Sequence, residues 1–159
     1  MGPATCNALK STYGAANVAC QGVGGPYLAT LVANTLPQGT TTAAIGEAQR
    51  LFRLAASKCP NTIIVGGGYS QGAAVMVGAV GNLGTAIENR IVGVVLYGNT
   101  RNRQENGIIP GYPADDALTI CNTGDPVCQG TLIVNAAHLA YIPTVPRASA
   151  FLNGKINAA

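Results

Sequence analysis

At 159 residues, 48% of them apolar and 9% charged, the chain is long enough to bury one core and too apolar for a disordered segment. Its formal charge of +3 comes from scattered basic residues; only Arg101 and Arg103 stand close together, with no interleaved aromatics, so no nucleic-acid partner is expected. No apolar run approaches the roughly eighteen residues of a membrane span, and none is expected.

The predicted elements, in chain order, begin with a helix from Pro3 to Tyr13 ended by Gly14, then a short strand from Asn17 to Val23 that runs into Gly24-Gly25. Thr40-Thr41-Thr42 caps a longer helix to about Lys58, because Ile45, Ala48, Leu51, Phe52 and Ala55 share one face at helical spacing. Cys59-Pro60-Asn61 stops it. Thr62 to Val65 reads as a buried strand, Gln71 to about Leu83 as a helix and Thr85 to Asn89 as a short one. Ile91 to Tyr97 is an apolar run of strand length, Ala117 to Cys121 is a shorter one, and the tail from Val145 to Asn157 reads as helix. No linker or repeat divides the chain, so residues 1–159 are taken as one domain. Strands alternating with helices predict the α/β class, a mostly parallel sheet flanked by helices. In such sheets ligands sit beyond the carboxyl ends of the strands, here the loops after Val23, Val65, Tyr97 and Cys121.

Five cysteines with no CxxC pair, and a single histidine, suit disulfides in an oxidising compartment better than a zinc site. Neither a metal nor a cofactor is expected. Sequence proximity favours Cys6 with Cys20 and Cys121 with Cys128, which leaves Cys59 unpaired. Secretion to the cell exterior is expected, yet Met1 to Cys6 has neither the basic start nor the apolar stretch of a signal peptide. A segment is expected to be absent from the front.

Gly68-Tyr69-Ser70-Gln71-Gly72 satisfies G-x-S-x-G, with an apolar strand before it and a helix after it, as a nucleophile elbow requires. The turn brings backbone against backbone beside the serine, where a Cβ would collide, and forces the serine into a strained conformation. Ser70 Oγ then projects at a helix start, where the Gln71 N–H is positioned to bind an oxyanion. The bland alternative is an ordinary N-cap serine in a glycine-rich turn. Gly66-Gly67-Gly68 lacks both the GK[ST] ending of a P-loop and the spacing of a dinucleotide fingerprint.

A serine nucleophile needs an imidazole base and an acid to orient it. The one histidine, His138, lies downstream of Ser70, as the order serine, acid, histidine demands. Between them stand Glu88, Glu105, Asp115, Asp116 and Asp125. Glu88 falls on a predicted helix, Glu105 in a polar stretch, and Asp115 and Asp116 precede a strand, at the wrong end of a parallel sheet. Asp125 follows a strand inside the loop Cys121 to Cys128 and is the best-placed carboxylate.

With these residues in view, the sequence closely resembles the cutinase family of small secreted serine esterases. The resemblance runs from about Cys20 to Leu152. It includes Gln21 to Tyr27 (QGVGGPY), Leu36 to Thr40 (LPQGT), Lys58-Cys59-Pro60, the elbow, Tyr112 to Asp115 (YPAD), Cys121 to Cys128 (CNTGDPVC) and His138 to Tyr141 (HLAY). It implies a three-layer, lidless α/β-hydrolase-like domain, with Ser70 as nucleophile, His138 as base and Asp125 as its orienting acid. It further implies a monomer that cleaves cutin-type aliphatic polyesters and short-chain acyl esters. Tyr69 and the apolar loops carrying Leu31 and Val32 on one side, and Leu132, Ile133, Val134 and Leu139 on the other, are the expected substrate-binding residues.

The sequence departs from the family at the amino end. By resemblance it lacks a first, central strand between the segments Asn17 to Val23 and Thr62 to Val65, together with an Arg-Gly-Ser/Thr loop that supplies a second oxyanion donor. It also lacks the cysteine that would partner Cys59. Asn34, which matches an asparagine that steadies the oxyanion hydroxyl, would then have nothing to hold. Two competing readings follow: a non-catalytic or weakly active fragment short of its oxyanion hole, and an esterase resembling the acetylxylan esterases, against which the apolar Leu132-Ile133-Val134 rim argues.

Overall fold

The computed structural model describes all residues from Met1 to Ala159. Helix α1 spans Gly2–Tyr13 and α2 spans Thr42–Lys58. Strand β1 (Ile64–Tyr69) passes through Ser70 into α3 (Gln71–Val80), followed by the single turn α4 (Thr85–Glu88). Strands β2 (Ile91–Tyr97) and β3 (Ala117–Ile120), the short α5 (Ala136–Leu139) and the carboxyl-terminal α6 (Val145–Ala158) complete it.

The sheet is parallel and three-stranded, in the order β1-β2-β3. Side chains of the central strand alternate as a pleat dictates: Val94 and Leu96 enter one apolar cluster, Val95 and Tyr97 the other. The first cluster holds the buried face of α2, formed by Ala44, Ile45, Ala48, Phe52 and Ala56, against α3. Helix α3 is apolar nearly all round and almost wholly buried, as a helix caught between another helix and a sheet must be. On the opposite face Leu9 of α1 and Ala148 and Leu152 of α6 pack against Val95, Tyr97 and Ile120. Three layers result. Thr41 starts α2 as its cap, its Oγ1 accepting from the Ala44 N–H at 3.1 Å.

Five of the predicted helices and the strands at β2 and β3 fall within a few residues of their expected places. Two expectations change. The strand predicted at Thr62 to Val65 continues through three glycines to Tyr69, because β2 offers four further residues of parallel edge, Val94 to Tyr97, and Gly66 lets the Phe52 ring lie against the strand. The strand predicted at Asn17 to Val23 does not form. Ala15–Asn17 is a 3-10 turn, tied back by Asn17 Nδ2 donating to the Tyr13 carbonyl at 2.9 Å, and residues 18–23 pair with no strand, the unpaired edge of β1 lying across a cavity from them. A strand needs a neighbour to satisfy its backbone groups. The segment lies instead across a cavity of about 950 Å³ whose other walls are α1, α2 and the unpaired edge of β1. The sheet is therefore open on the side where the sequence resemblance places a further strand.

The three carboxyl ends, Tyr69, Tyr97 and Ile120, stand side by side in the parallel register. At the first of them a Cβ on Gly68 would come within 2.2 Å of the Gly72 carbonyl oxygen, so α3 starts only where residue 68 has no side chain. Gly72 itself is under no such constraint, its nearest atom being the Tyr27 hydroxyl at 3.5 Å. Gly68→Ala is therefore expected to destabilise the protein by about 2–4 kcal/mol in urea unfolding, since the obstacle is backbone. Gly66→Ala, which meets only side chains, the Phe52 ring at 3.3 Å and Val94 Cγ2 at 3.4 Å nearest, is expected to cost less than half as much; equal losses would show that the elbow is not packed this tightly.

Candidate active site

Ser70 sits between β1 and α3 with φ 55°, ψ −120°, a conformation that costs a non-glycine residue on the order of 1–3 kcal/mol. Its N–H donates to the Tyr97 carbonyl at 2.9 Å, which clamps the turn to the end of β2. Although Ser70 occupies the N-cap position of α3, its hydroxyl caps no helix N–H. The Oγ lies 2.9 Å from His138 Nε2 instead. This disposes of the ordinary N-cap reading.

His138 Nδ1 lies 2.9 Å from Asp125 Oδ2. A carboxylate accepts there, so the proton resides on Nδ1 and the Nε2 lone pair is left to receive the Ser70 hydroxyl proton. Both partners are buried, His138 at 2% and Asp125 at 1% exposure. The Cys121–Cys128 disulfide closes the turn that carries Asp125, and the Val127 N–H donates to Asp125 Oδ1 at 2.9 Å. Asn135 caps α5 by accepting from the His138 N–H at 3.1 Å, while its Nδ2 donates to the Gly124 carbonyl at 2.9 Å, so one side chain joins the acid's turn to the histidine's helix. Asn122 does the same from the other side, its Nδ2 donating to the carbonyls of Ala137 and Ala140, each at 2.9 Å. From β2, Gly98 has φ 52°, and a Cβ there would press to 3.0 Å on His138 Cε1.

The other four carboxylates are elsewhere. Glu88 accepts from the Gly84 N–H, Glu105 pairs with Arg101 at 2.6 Å, Asp116 pairs with Lys155 at 2.7 Å, and Asp115 lies with Asp116 in the turn before β3. Burial pushes the Asp125 carboxyl up, but the hydrogen bonds from Tyr141, His138 and the Val127 N–H more than offset it and hold it below the usual carboxylate value. Burial raises the Tyr69 and Tyr141 phenols, and the Asp125 charge adds to it, so both remain neutral donors.

Gln71 opens α3, leaving its N–H free of the helix ladder at the position of an oxyanion donor. Its side chain turns the other way: Nε2 donates to the Thr30 carbonyl at 2.8 Å and to Asn34 Oδ1 at 3.1 Å. Asn34 is thus engaged, contrary to the expectation that it holds nothing, and it pins the 3-10 turn Leu31–Thr35 to the elbow. Leu31 and Val32 on that turn are 81% and 73% exposed; Leu132, Ile133 and Val134 in the loop before α5 and Leu139 at its end are exposed as well. Leu28 and Ile142, not singled out by sequence, are exposed too. Tyr69 is placed differently from these rim residues. Its ring stacks on His138 with centroids 5.2 Å apart, and its hydroxyl donates to the His138 carbonyl at 2.7 Å, so it supports the histidine from behind. Both expected disulfides, Cys6–Cys20 and Cys121–Cys128, are present, and Cys59 is free and exposed. The 950 Å³ cavity is lined by none of Ser70, Asp125 or His138.

A serine, a histidine and a buried aspartate in line at the carboxyl edge of a parallel sheet define a serine hydrolase of the α/β type. The particular family follows from comparison with known proteins: the family model described as Cutinase matches residues 1–156, and the chain belongs to that family. It is 51% identical to "Probable cutinase 5" of Aspergillus terreus, over 98% of this chain and 71% of that one. With "Probable cutinase 1" of Aspergillus niger the identity is 51% over 99% of this chain and 60% of that one, so the chain spans only part of the length of these relatives. Among solved structures, a Trichoderma reesei cutinase in complex with a C11Y4 phosphonate inhibitor superposes with a TM-score of 0.85 at 30% identity, covering 98% of this chain and 68% of that one. An acetylxylan esterase shares the fold, with a TM-score of 0.77 at 20% identity over 98% of this chain and 89% of that one. No helix is long and apolar enough to cross a membrane.

Because Asp125 is held below its ordinary value, its stabilising effect is complete above the unfolded-state value of about 3.9 and fades as pH falls through the folded-state one. The difference in urea midpoint between wild type and Asp125→Asn is therefore expected to be constant above about pH 5 and to narrow steadily toward pH 2. A difference that stays constant to low pH would mean that the carboxylate is not held ionised by its partners.

Proposed function

We propose that this chain carries the catalytic centre of a secreted serine esterase that hydrolyses aliphatic acyl esters, cutin-type polyesters among them, through an acyl-enzyme on Ser70. The observation that carries the reading is the unbroken line from Ser70 Oγ to His138 Nε2 and from His138 Nδ1 to Asp125 Oδ2, each contact 2.9 Å. In the first half-reaction Ser70 Oγ attacks the ester carbonyl carbon while its proton passes to His138 Nε2. Asp125 stabilises the imidazolium through Nδ1–H, and the Gln71 N–H meets the oxyanion at the positive end of α3. Collapse expels the alcohol, which leaves with the proton from Nε2. Water then repeats the sequence on the acyl-enzyme and frees the acid.

The exposure of Leu31, Val32, Leu132, Ile133, Val134 and Leu139, read as the two sides of the site, favours an aliphatic acyl chain over a sugar acetate. Two disulfides favour an oxidising, extracellular location. The reaction as drawn needs neither metal nor cofactor and involves one copy of the chain. The competing reading, a weakly active fragment, draws on the open edge of β1 beside the 950 Å³ cavity.

The deciding experiment is hydrolysis of p-nitrophenyl butyrate by the 159-residue chain and by Ser70→Ala. Turnover is expected in the first, and a loss on the order of a million-fold in the second with an unchanged circular dichroism spectrum. Burst acylation that persists in Ser70→Ala would overturn the assignment. A folded chain with no turnover would favour the fragment reading.

A further inference from the structure

Tyr141 takes no part in the reaction as drawn, yet it is buried beside the triad and bonded at both sides of its hydroxyl. It is 1% exposed, its ring edge-on to Tyr97 at 6.3 Å and to His138 at 6.2 Å and tilted against Tyr69 at 5.7 Å. The Asn122 N–H donates to its hydroxyl oxygen at 3.0 Å, and the hydroxyl donates to Asp125 Oδ2 at 2.6 Å. That oxygen is the one His138 Nδ1 uses. A tyrosine present only to fill the core would be satisfied by any acceptor; this one spends its single proton on the oxygen that faces the imidazole.

We infer that Tyr141 is a positioning residue of the catalytic acid: it fixes which Asp125 oxygen faces His138 and limits how much negative charge that oxygen presents to the imidazole. The inference rests on the triad reading above. Carboxylate rotation about its last torsion is soft, and apart from His138 itself the other hold on the Asp125 carboxylate is the Val127 N–H on Oδ1. With two donors on Oδ2, part of its charge is drawn toward the phenol. Removing the hydroxyl leaves that charge to His138 alone, which favours the protonated imidazole. The titratable groups facing the carboxylate are His138 from α5, Tyr141 itself and Tyr69 from the end of β1; no lysine or arginine is bonded to it.

Tyr141→Phe keeps the ring and removes the donor. It is expected to lower kcat about tenfold with KM nearly unchanged, and to move the acid limb of the kcat/KM profile up by about half a pH unit. In an Asp125→Asn background the same change is expected to cost less than about twofold, because the hydroxyl acts through the carboxylate. A tenfold loss in both backgrounds with no movement of the limb would reduce Tyr141 to a packing role and overturn the inference. Substituting Tyr141 alone by 3-fluorotyrosine, which retains ring and hydroxyl but donates more strongly, is expected to move the limb the other way; movement in the same direction as Tyr141→Phe also overturns it. The pH titration of the His138 ring by NMR supplies a readout that requires no turnover. If the chain hydrolyses nothing, or Ser70→Ala stays active, the triad reading fails, while an upward movement of that titration in Tyr141→Phe still supports the Tyr141 role and an unchanged one overturns it.

Discussion

Everything at this site depends on one backbone constraint: the left-handed conformation of Ser70 between β1 and α3. A serine at the start of a helix ordinarily folds its hydroxyl back onto a helix N–H. Here the positive φ turns Oγ away from the helix, and the clamp of the Ser70 N–H on the Tyr97 carbonyl keeps it turned. The cost of that strain, about 1–3 kcal/mol, is carried by packing that has nothing to do with chemistry, the buried α3 between α2 and the sheet. The bare Gly68 is what allows the helix to begin so close to the strand.

The second constraint is electrostatic. A buried carboxylate is costly unless it is paired and hydrogen-bonded. Asp125 meets that condition with three donors, from His138, Tyr141 and the Val127 N–H, which together hold it ionised against its burial. The same donors define its orientation, so satisfying the charge and aiming it are one act. Asn122 and Asn135 extend this to the backbone, tying the turn of Asp125 to the helix of His138 from both sides. The site is thus made of short loops hydrogen-bonded to one another, the kind of support that positioned groups need.

Much of this was legible in the sequence, for reasons that differ from residue to residue. The elbow announces itself because a G-x-S-x-G turn has to follow an apolar strand. His138 was found because there was no other histidine, and Asp125 because strand order and the cysteine loop left it best placed. Tyr69 and Tyr141 were invisible in their roles: Tyr69 reads as a substrate-binding residue and Tyr141 as one more residue of the HLAY stretch until their hydroxyls are seen on the His138 carbonyl and on Asp125 Oδ2. The capping asparagines were missed for the same reason, since Asn122 and Asn135 act across turns whose folding the sequence does not display. The strand expected at Asn17 to Val23 failed because strand formation is decided by a partner edge, and no local pattern supplies one.

That failure bears on how the site relates to the rest of the sheet. The unpaired edge of β1 and the cavity beside it lie on the side away from β2, whereas the groups that build the triad come from the loops after β1, β2 and β3 in turn: Ser70, the space made by Gly98, and Asp125. Asp125 and His138 are held by bonds that never cross the open edge. An exposed strand edge and an apolar cavity lower global stability and invite further pairing. Local order at the triad draws on the β1-β2-β3 register and the Cys121–Cys128 turn, so stability of the whole and geometry of the triad are set by different parts of the molecule. On the proposed reading the oxyanion side draws on a third part, because the Gln71 N–H at the start of α3 is the donor there and the Gln71 side chain is tied to the Thr30 carbonyl and Asn34.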